Sequence, residues 1–159
     1  MNTLFHLDAG LPSMRVSRFL TSESTDVALF SRFCQFVWIQ GEPTTLIYDI
    51  DHEVYKRQGI DVSAIRDLQD AGLIEARAGG YIKRSFRKHT RLFYFGRLTK
   101  IQFPREENNS LEMGCVILTD MGREIAPFCG AAPNQEFYEY VIGRWFGQGM
   151  VLSTILPKV

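Results

Sequence analysis

Two stretches of this sequence hold side chains able to do chemistry. In "YDIDHE", residues 48–53, Asp49, Asp51, His52 and Glu53 fall within five positions. On a strand, alternation would put Asp49 and Asp51 on one side, the arrangement a two-metal nuclease needs around its attacking and leaving oxygens. The plainer reading makes Asp51 the N-cap of a following helix and Glu53 the complement to its positive end. No distant acidic-plus-lysine motif supports the patch, so the sequence assigns no catalytic residues, no metal ligands and no cofactor.

The second stretch is "YIKRSFRKHTRLFYFGR", residues 81–97. It gathers Lys83, Arg84, Arg87, Lys88, Arg91 and Arg97 among aromatics without one acidic residue. Each cation that displaces condensed counterions adds affinity for a phosphate backbone, and arginine's planar fork bonds phosphate oxygens. Exposed aromatics add stacking on bases. Two other readings compete: a solvated edge strand whose cations prevent sheet-to-sheet aggregation, and a patch that docks an acidic protein surface. Phe93, Tyr94 and Phe95 make a candidate stacking platform, but alternation buries one side of such a strand, and core packing is the favoured reading.

Charge is distributed unevenly along the chain. The totals are 18 basic and 18 acidic residues, yet nine of the basic ones lie between Arg77 and Arg105 with no Asp or Glu among them. The remainder therefore carries a net charge of −9. Such segregation bears on partners, not on fold.

Other features bound the class. A chain of 159 residues with 45% apolar content predicts one globular domain with a full core. No apolar run reaches the roughly 18 residues of a membrane span, and the first twenty residues lack a signal-peptide pattern. Cys34, Cys115 and Cys129 are odd in number and lack paired spacing, which predicts buried thiols in a reducing cytoplasm. Gly-x-Ser-x-Gly, P-loop and dinucleotide fingerprints are absent.

The elements that must position these residues follow from periodicity and turn signals. A short helix is expected near "SMRVSRFL". A longer one starts at Ser24, Thr25 or Asp26 and carries Leu29, Phe30, Phe33, Phe36, Val37 and Trp38 inward until "GEP" ends it. "TTLIYDI" reads as a strand and "DHEVYKRQG" as a short helix closed by Gly59. "DVSAIRDLQDAG" is a helix with Val62, Ile65 and Leu68 inward, and Arg66 and Asp70 are spaced to pair on its surface. The basic stretch is too long for one strand and its apolar parity changes, which predicts a hairpin turning near "RKHT" with Arg87, Lys88, His89 and Arg91 at an exposed tip. "LTKIQF" and "LEMGCVIL" read as strands, and "TDMGREIAPF" as a helix capped by Thr119.

"NQEFYEYVIGRWF" is an amphipathic helix with Phe137, Tyr140, Val141 and Trp145 expected inward. Its aromatics surround more of the cylinder than one core stripe needs. Tyr138, Trp145 and Phe146, with the apolar tail "MVLSTIL", are therefore expected to form a homodimer contact or a docking surface.

The order of elements resembles a winged helix, a helix-turn-helix relative with a small antiparallel sheet and an extended β-hairpin wing. "LQDAGLIEA" is similar to the end of a second helix-turn-helix helix entering a wing strand, and "VILTDMGREI" to the strand and helix that follow a wing. Residues 16–146 also resemble the C-terminal region of domain of unknown function 2806, an uncharacterised bacterial family, through "LFSRFCQFVW", "LIYDI", "IRDLQDAGLI", "YFGR", "LTDMGREIAPFCG" and "EFYEYV". That resemblance implies no activity and lends no catalytic residues.

The expected architecture is thus α+β: an N-terminal arm and short helix (1–20), a winged-helix-like core (21–130), and an aromatic helix with its tail packed on that core (131–159). The expected role is a non-enzymatic module that contacts nucleic-acid backbone. A protein-interaction module is the alternative, and a metal-dependent nuclease the third reading. Acidic residues Asp61, Asp67 and Asp70 against a single Arg66 argue against base readout by the would-be recognition helix.

Overall fold

A computed structural model describes residues 10–155. In chain order its elements are α1 (Met14–Leu20), α2 (Thr25–Phe33), β1 (Val37–Gln40), β2 (Glu42–Thr45), α3 (Glu53–Lys56), α4 (Val62–Asp70), β3 (Ile74–Ala76), β4 (Ile82–Phe86), β5 (His89–Tyr94), β6 (Arg97–Gln102), β7 (Asn109–Glu112), β8 (Val116–Leu118), α5 (Asp120–Ile125), α6 (Gln135–Gly147) and β9 (Val151–Ile155). The class is α+β with antiparallel strand pairing.

Helix starts fall where the chain supplies a side-chain acceptor. Ser24 caps α2, Asp61 caps α4, Thr119 caps α5 and Asn134 caps α6, each taking a first-turn amide proton. The α2 end differs from expectation. The helix stops at Phe33, one 3-10 turn follows, and Val37 and Trp38 begin a strand. The "GEP" stretch does not end a helix: Gly41 is the turn of a hairpin that pairs Val37 with Thr45 and Gln40 with Glu42. β-Branched and aromatic residues fit a pleated surface, and this partner strand decided their state. Accordingly "TTLIYDI" is a strand only at its start, and beyond it Ile47 makes a single bridge to Gly114.

Residues 74–118 form one nested antiparallel excursion. Ala76 pairs with Val116 at its base, Lys83 with Leu111 in the middle, and His89 through Tyr94 with Gln102 through Arg97 at its far end. The expected hairpin exists, but its turn is Phe95-Gly96, not "RKHT". Both turn residues have positive φ (47° and 81°), the geometry that lets a two-residue turn match strand twist. The parity change that suggested a turn at 87–88 is instead a bend. There the outgoing strand leaves β7 and enters a second sheet, while Phe103 N–H donates to the Lys88 carbonyl at 2.7 Å.

That second sheet has five strands in the order β2-β1-β5-β6-β9. Its last strand is β9 from the apolar tail "MVLSTIL", which pairs along β6 with Ser153 opposite Lys100. The stretch "LEMGCVIL" is two strands, not one. Gly114 separates them at φ +87°, where an added Cβ would lie 2.5 Å from the Ile47 carbonyl oxygen.

An aromatic cluster joins the five-stranded sheet to α6. Trp38 stacks on Tyr94 and Tyr138 at 5.1 and 5.7 Å and meets Trp145 edge-on at 5.1 Å. Phe36 meets Phe137 and Tyr55 at 4.9 and 5.0 Å. Burial of each such ring contributes about 1.5–3 kcal/mol, which makes this the main seam of the core. On α4 the inward residues are Ala64, Ile65 and Leu68, while Val62, expected inward, is exposed. Arg66 and Asp70 form no ion pair among the described residues. The first nine residues of the expected N-terminal arm lie outside the described residues, as do the last four of the tail. Among the described residues no helix is long and apolar enough to cross a membrane.

Candidate nucleic-acid interface

The six cations of the basic stretch separate into two groups. Lys83, Lys88 and Arg97 are engaged within the chain. Lys83 Nζ donates to the Gln40 side-chain oxygen at 2.6 Å. Lys88 lies 3.5 Å from Glu106. Arg97 stacks over the Tyr138 ring at 4.3 Å, on the covered side of the sheet. Arg84, Arg87 and Arg91 are exposed and, among the described residues, make no hydrogen bond or ion pair through their guanidinium groups. Among the described residues, these three arginines of the stretch thus have no acidic partner.

None of these sits at a hairpin tip. Arg84 is on β4, Arg87 at the bend, and Arg91 on β5 inside the sheet. Strand register then shows a residue that sequence reasoning did not single out. Lys100 on β6 is the direct partner of Arg91 and is likewise exposed. The alternation of "LTKIQF" carried that signal, since Thr99 and Ile101 are buried and Lys100 between them must face the other way.

The same register defines one open face of the sheet. Phe93 is 41% exposed, with Ile39 and Leu98 as its half-buried neighbours on the flanking strands. Tyr94, one residue on, points to the core, where its hydroxyl donates to Gln35 O at 2.7 Å and accepts from Asn134 N at 2.8 Å. Phe95 packs edge-on against Tyr94 at 4.9 Å. Of the three aromatics considered as a platform, only Phe93 belongs to the open face.

The acidic patch does not assemble as a metal centre. Asp49 and Asp51 are in a turn rather than on a strand, and Asp49 Oδ1 accepts from the Asp51 amide at 3.0 Å. His52, not Asp51, caps α3: its Nδ1 accepts from Val54 N at 3.1 Å, and its ring lies 4.3 Å from that of Tyr140. Among the described residues no three His, Cys, Asp or Glu side chains converge as metal ligands.

The aromatic surface on α6 is also reduced. Tyr138 and Trp145 are buried in the core cluster, so neither offers a surface, and Phe146 alone of the three is exposed, at 74%. The helix has aromatics on two sides because the sheet and α3 both pack against it. Cys34 is fully buried, and burial pushes its thiol well above its ordinary range.

Comparison with protein-family models, curated proteins and solved structures finds no match for this chain.

Proposed function

We propose that this chain is a non-enzymatic binding module that holds nucleic acid through its backbone. The observation that carries the reading is the set Arg84, Arg87 and Arg91, left exposed and, among the described residues, without acidic partners, with Lys100 added opposite Arg91. Unneutralised cations on one arm release phosphate counterions on binding, whereas internally matched ones would not.

The winged-helix reading goes with this proposal. Its support is the succession α2, α3, α4 and the antiparallel pair β3–β8, with residues 77–115 as an enlarged wing. Asp61, Asp67 and Asp70 are exposed on α4 with Arg66, so that helix is set against phosphates and the wing carries the contact. The likeness to the uncharacterised bacterial family remains part of the same proposal and adds no chemistry to it.

The deciding experiment is a titration of single- and double-stranded DNA and RNA probes at low salt. Binding whose logarithm falls linearly with the logarithm of salt, and is lost in the Arg87→Glu, Arg91→Glu double variant, supports the reading. Flat titrations with every probe overturn it.

A second reading, association through α6 and β9, rests on its own observation. Phe146 and Val151 are 74% and 58% exposed beside the unpaired edge of β9. An apolar edge strand without charge or proline invites pairing with a second copy.

A further inference from the structure

We infer that the open face of the five-stranded sheet takes single-stranded nucleic acid, with a base stacked on Phe93 and phosphates held by Arg91 and Lys100. This rests on the backbone-binding reading above and narrows it to one class of ligand.

Three features of the face support the narrower statement. The first is the exposed aromatic itself. A phenylalanine on the solvent side of a central strand keeps 41% of its surface exposed, apolar area that folding has not covered and that an incoming base could. Ile39 and Leu98, paired with Phe93 on either side, make an apolar row across three strands. A duplex hides its base faces in the stack, so an apolar row of this kind has something to bind only on an unpaired strand.

The second feature is spacing. Arg91 precedes Phe93 by two residues, and Lys100 follows Leu98 by two, so the basic row runs parallel to the apolar row on the same face. Two residues of strand advance about 6.8 Å, comparable with the reach from a nucleotide's phosphate to its base. A backbone lying along Arg91 and Lys100 therefore lays its bases over Phe93.

The third is electrostatic. The register partners on this face across β5, β6 and β9 include His89, Gln102, Val151 and Ser153, none of them acidic. Among the described residues, no register partner on this face of β5, β6 and β9 carries a charge that would repel a phosphate. Stacking is tolerant of base identity, so the expected ligand is single-stranded DNA or RNA without strong sequence preference.

The test uses the full chain with a fluorescent oligo-dT of about ten nucleotides and a duplex of the same length. Tighter binding to the single strand is expected. Phe93→Ala and Phe93→Leu should each lower that affinity by about tenfold and leave the salt slope unchanged, because the leucine keeps apolar area without the π-face. Arg91→Ala should lower the slope by about 0.7. Photo-crosslinking with 5-bromouracil in the strand should join it to the peptide containing Phe93, a readout that needs no variant. Equal affinity for duplex and single strand with Phe93→Leu unaffected, or a crosslink confined to another peptide, overturns this inference and leaves backbone binding intact. Loss of binding to every probe overturns both.

Discussion

Arg91 on β5 and Lys100 on β6 are register partners, so two positive side chains stand directly opposite each other on the open face of the sheet. Like charges in that position destabilise a sheet, and opposite charges would stabilise it. The pairing therefore works against folding.

Lys100→Glu replaces that repulsion with attraction. The variant is expected to be more stable by roughly 0.2–1 kcal/mol, a rise of a few degrees at most in thermal midpoint at low salt. The same variant should bind nucleic acid more weakly. Stability and binding moving in opposite directions, read by calorimetry and by titration, is the outcome that distinguishes a functional cation from a solvating one.

Gly114→Ala tests the close approach that splits β7 from β8. The new Cβ meets the Ile47 carbonyl oxygen at 2.5 Å and the residue must keep φ near +87°. The combined cost is about 2–4 kcal/mol. Urea denaturation should show a lowered midpoint with an unchanged slope.

Tyr48→Phe removes one hydroxyl and orphans two groups. That hydroxyl donates to Glu112 O at 3.0 Å and accepts from Trp145 Nε1 at 3.1 Å. Trp145 is almost fully buried, so its indole N–H would lose its partner away from water. A loss of about 1–3 kcal/mol is expected in denaturant unfolding.

Alkali should unfold this protein cooperatively. Burial raises the Tyr55 and Tyr94 phenols well above their ordinary value of 10.0. Their folded-state pKa values exceed the unfolded ones, so the stabilisation is whole below pH 10 and is lost as pH climbs from there toward the raised values. Tyrosinate absorbance and far-UV circular dichroism should change together. Phenolate appearing well before the dichroism changes would mean that these rings ionise in the folded state.

Association through the β9 edge predicts a concentration-dependent mass for the unmodified chain and a monomeric mass for Phe146→Ser. Phe146 is exposed, so the variant should keep the thermal midpoint of the monomer. A monomeric mass for both at high concentration removes this mode of assembly.

Local signals in the sequence held where the deciding interactions are local. Ser24, Asp61 and Thr119 place helix starts because a capping oxygen needs only the amides two or three residues on, although at α3 the cap is His52 and not the expected Asp51. Gly59 and Gly72 close their helices for a similar reason, each allowing a left-handed residue. The uninterrupted run of cations, the absence of catalytic motifs and the α+β class were legible in the same way. Tertiary structure alone decided the rest. Val37 and Trp38 have a spacing that also fits a helix, and became a strand because β2 was there to pair with them, with β5 pairing at the next residue, Ile39. The bend at residues 87–88 and the turn at Phe95-Gly96 depend on which strand lies opposite, a long-range matter that alternation cannot express. Whether a cation is matched depends on what the fold brings within a few ångströms. It brought Glu106 to Lys88 and Tyr138 to Arg97, and it brought Lys100, of the same sign, to Arg91.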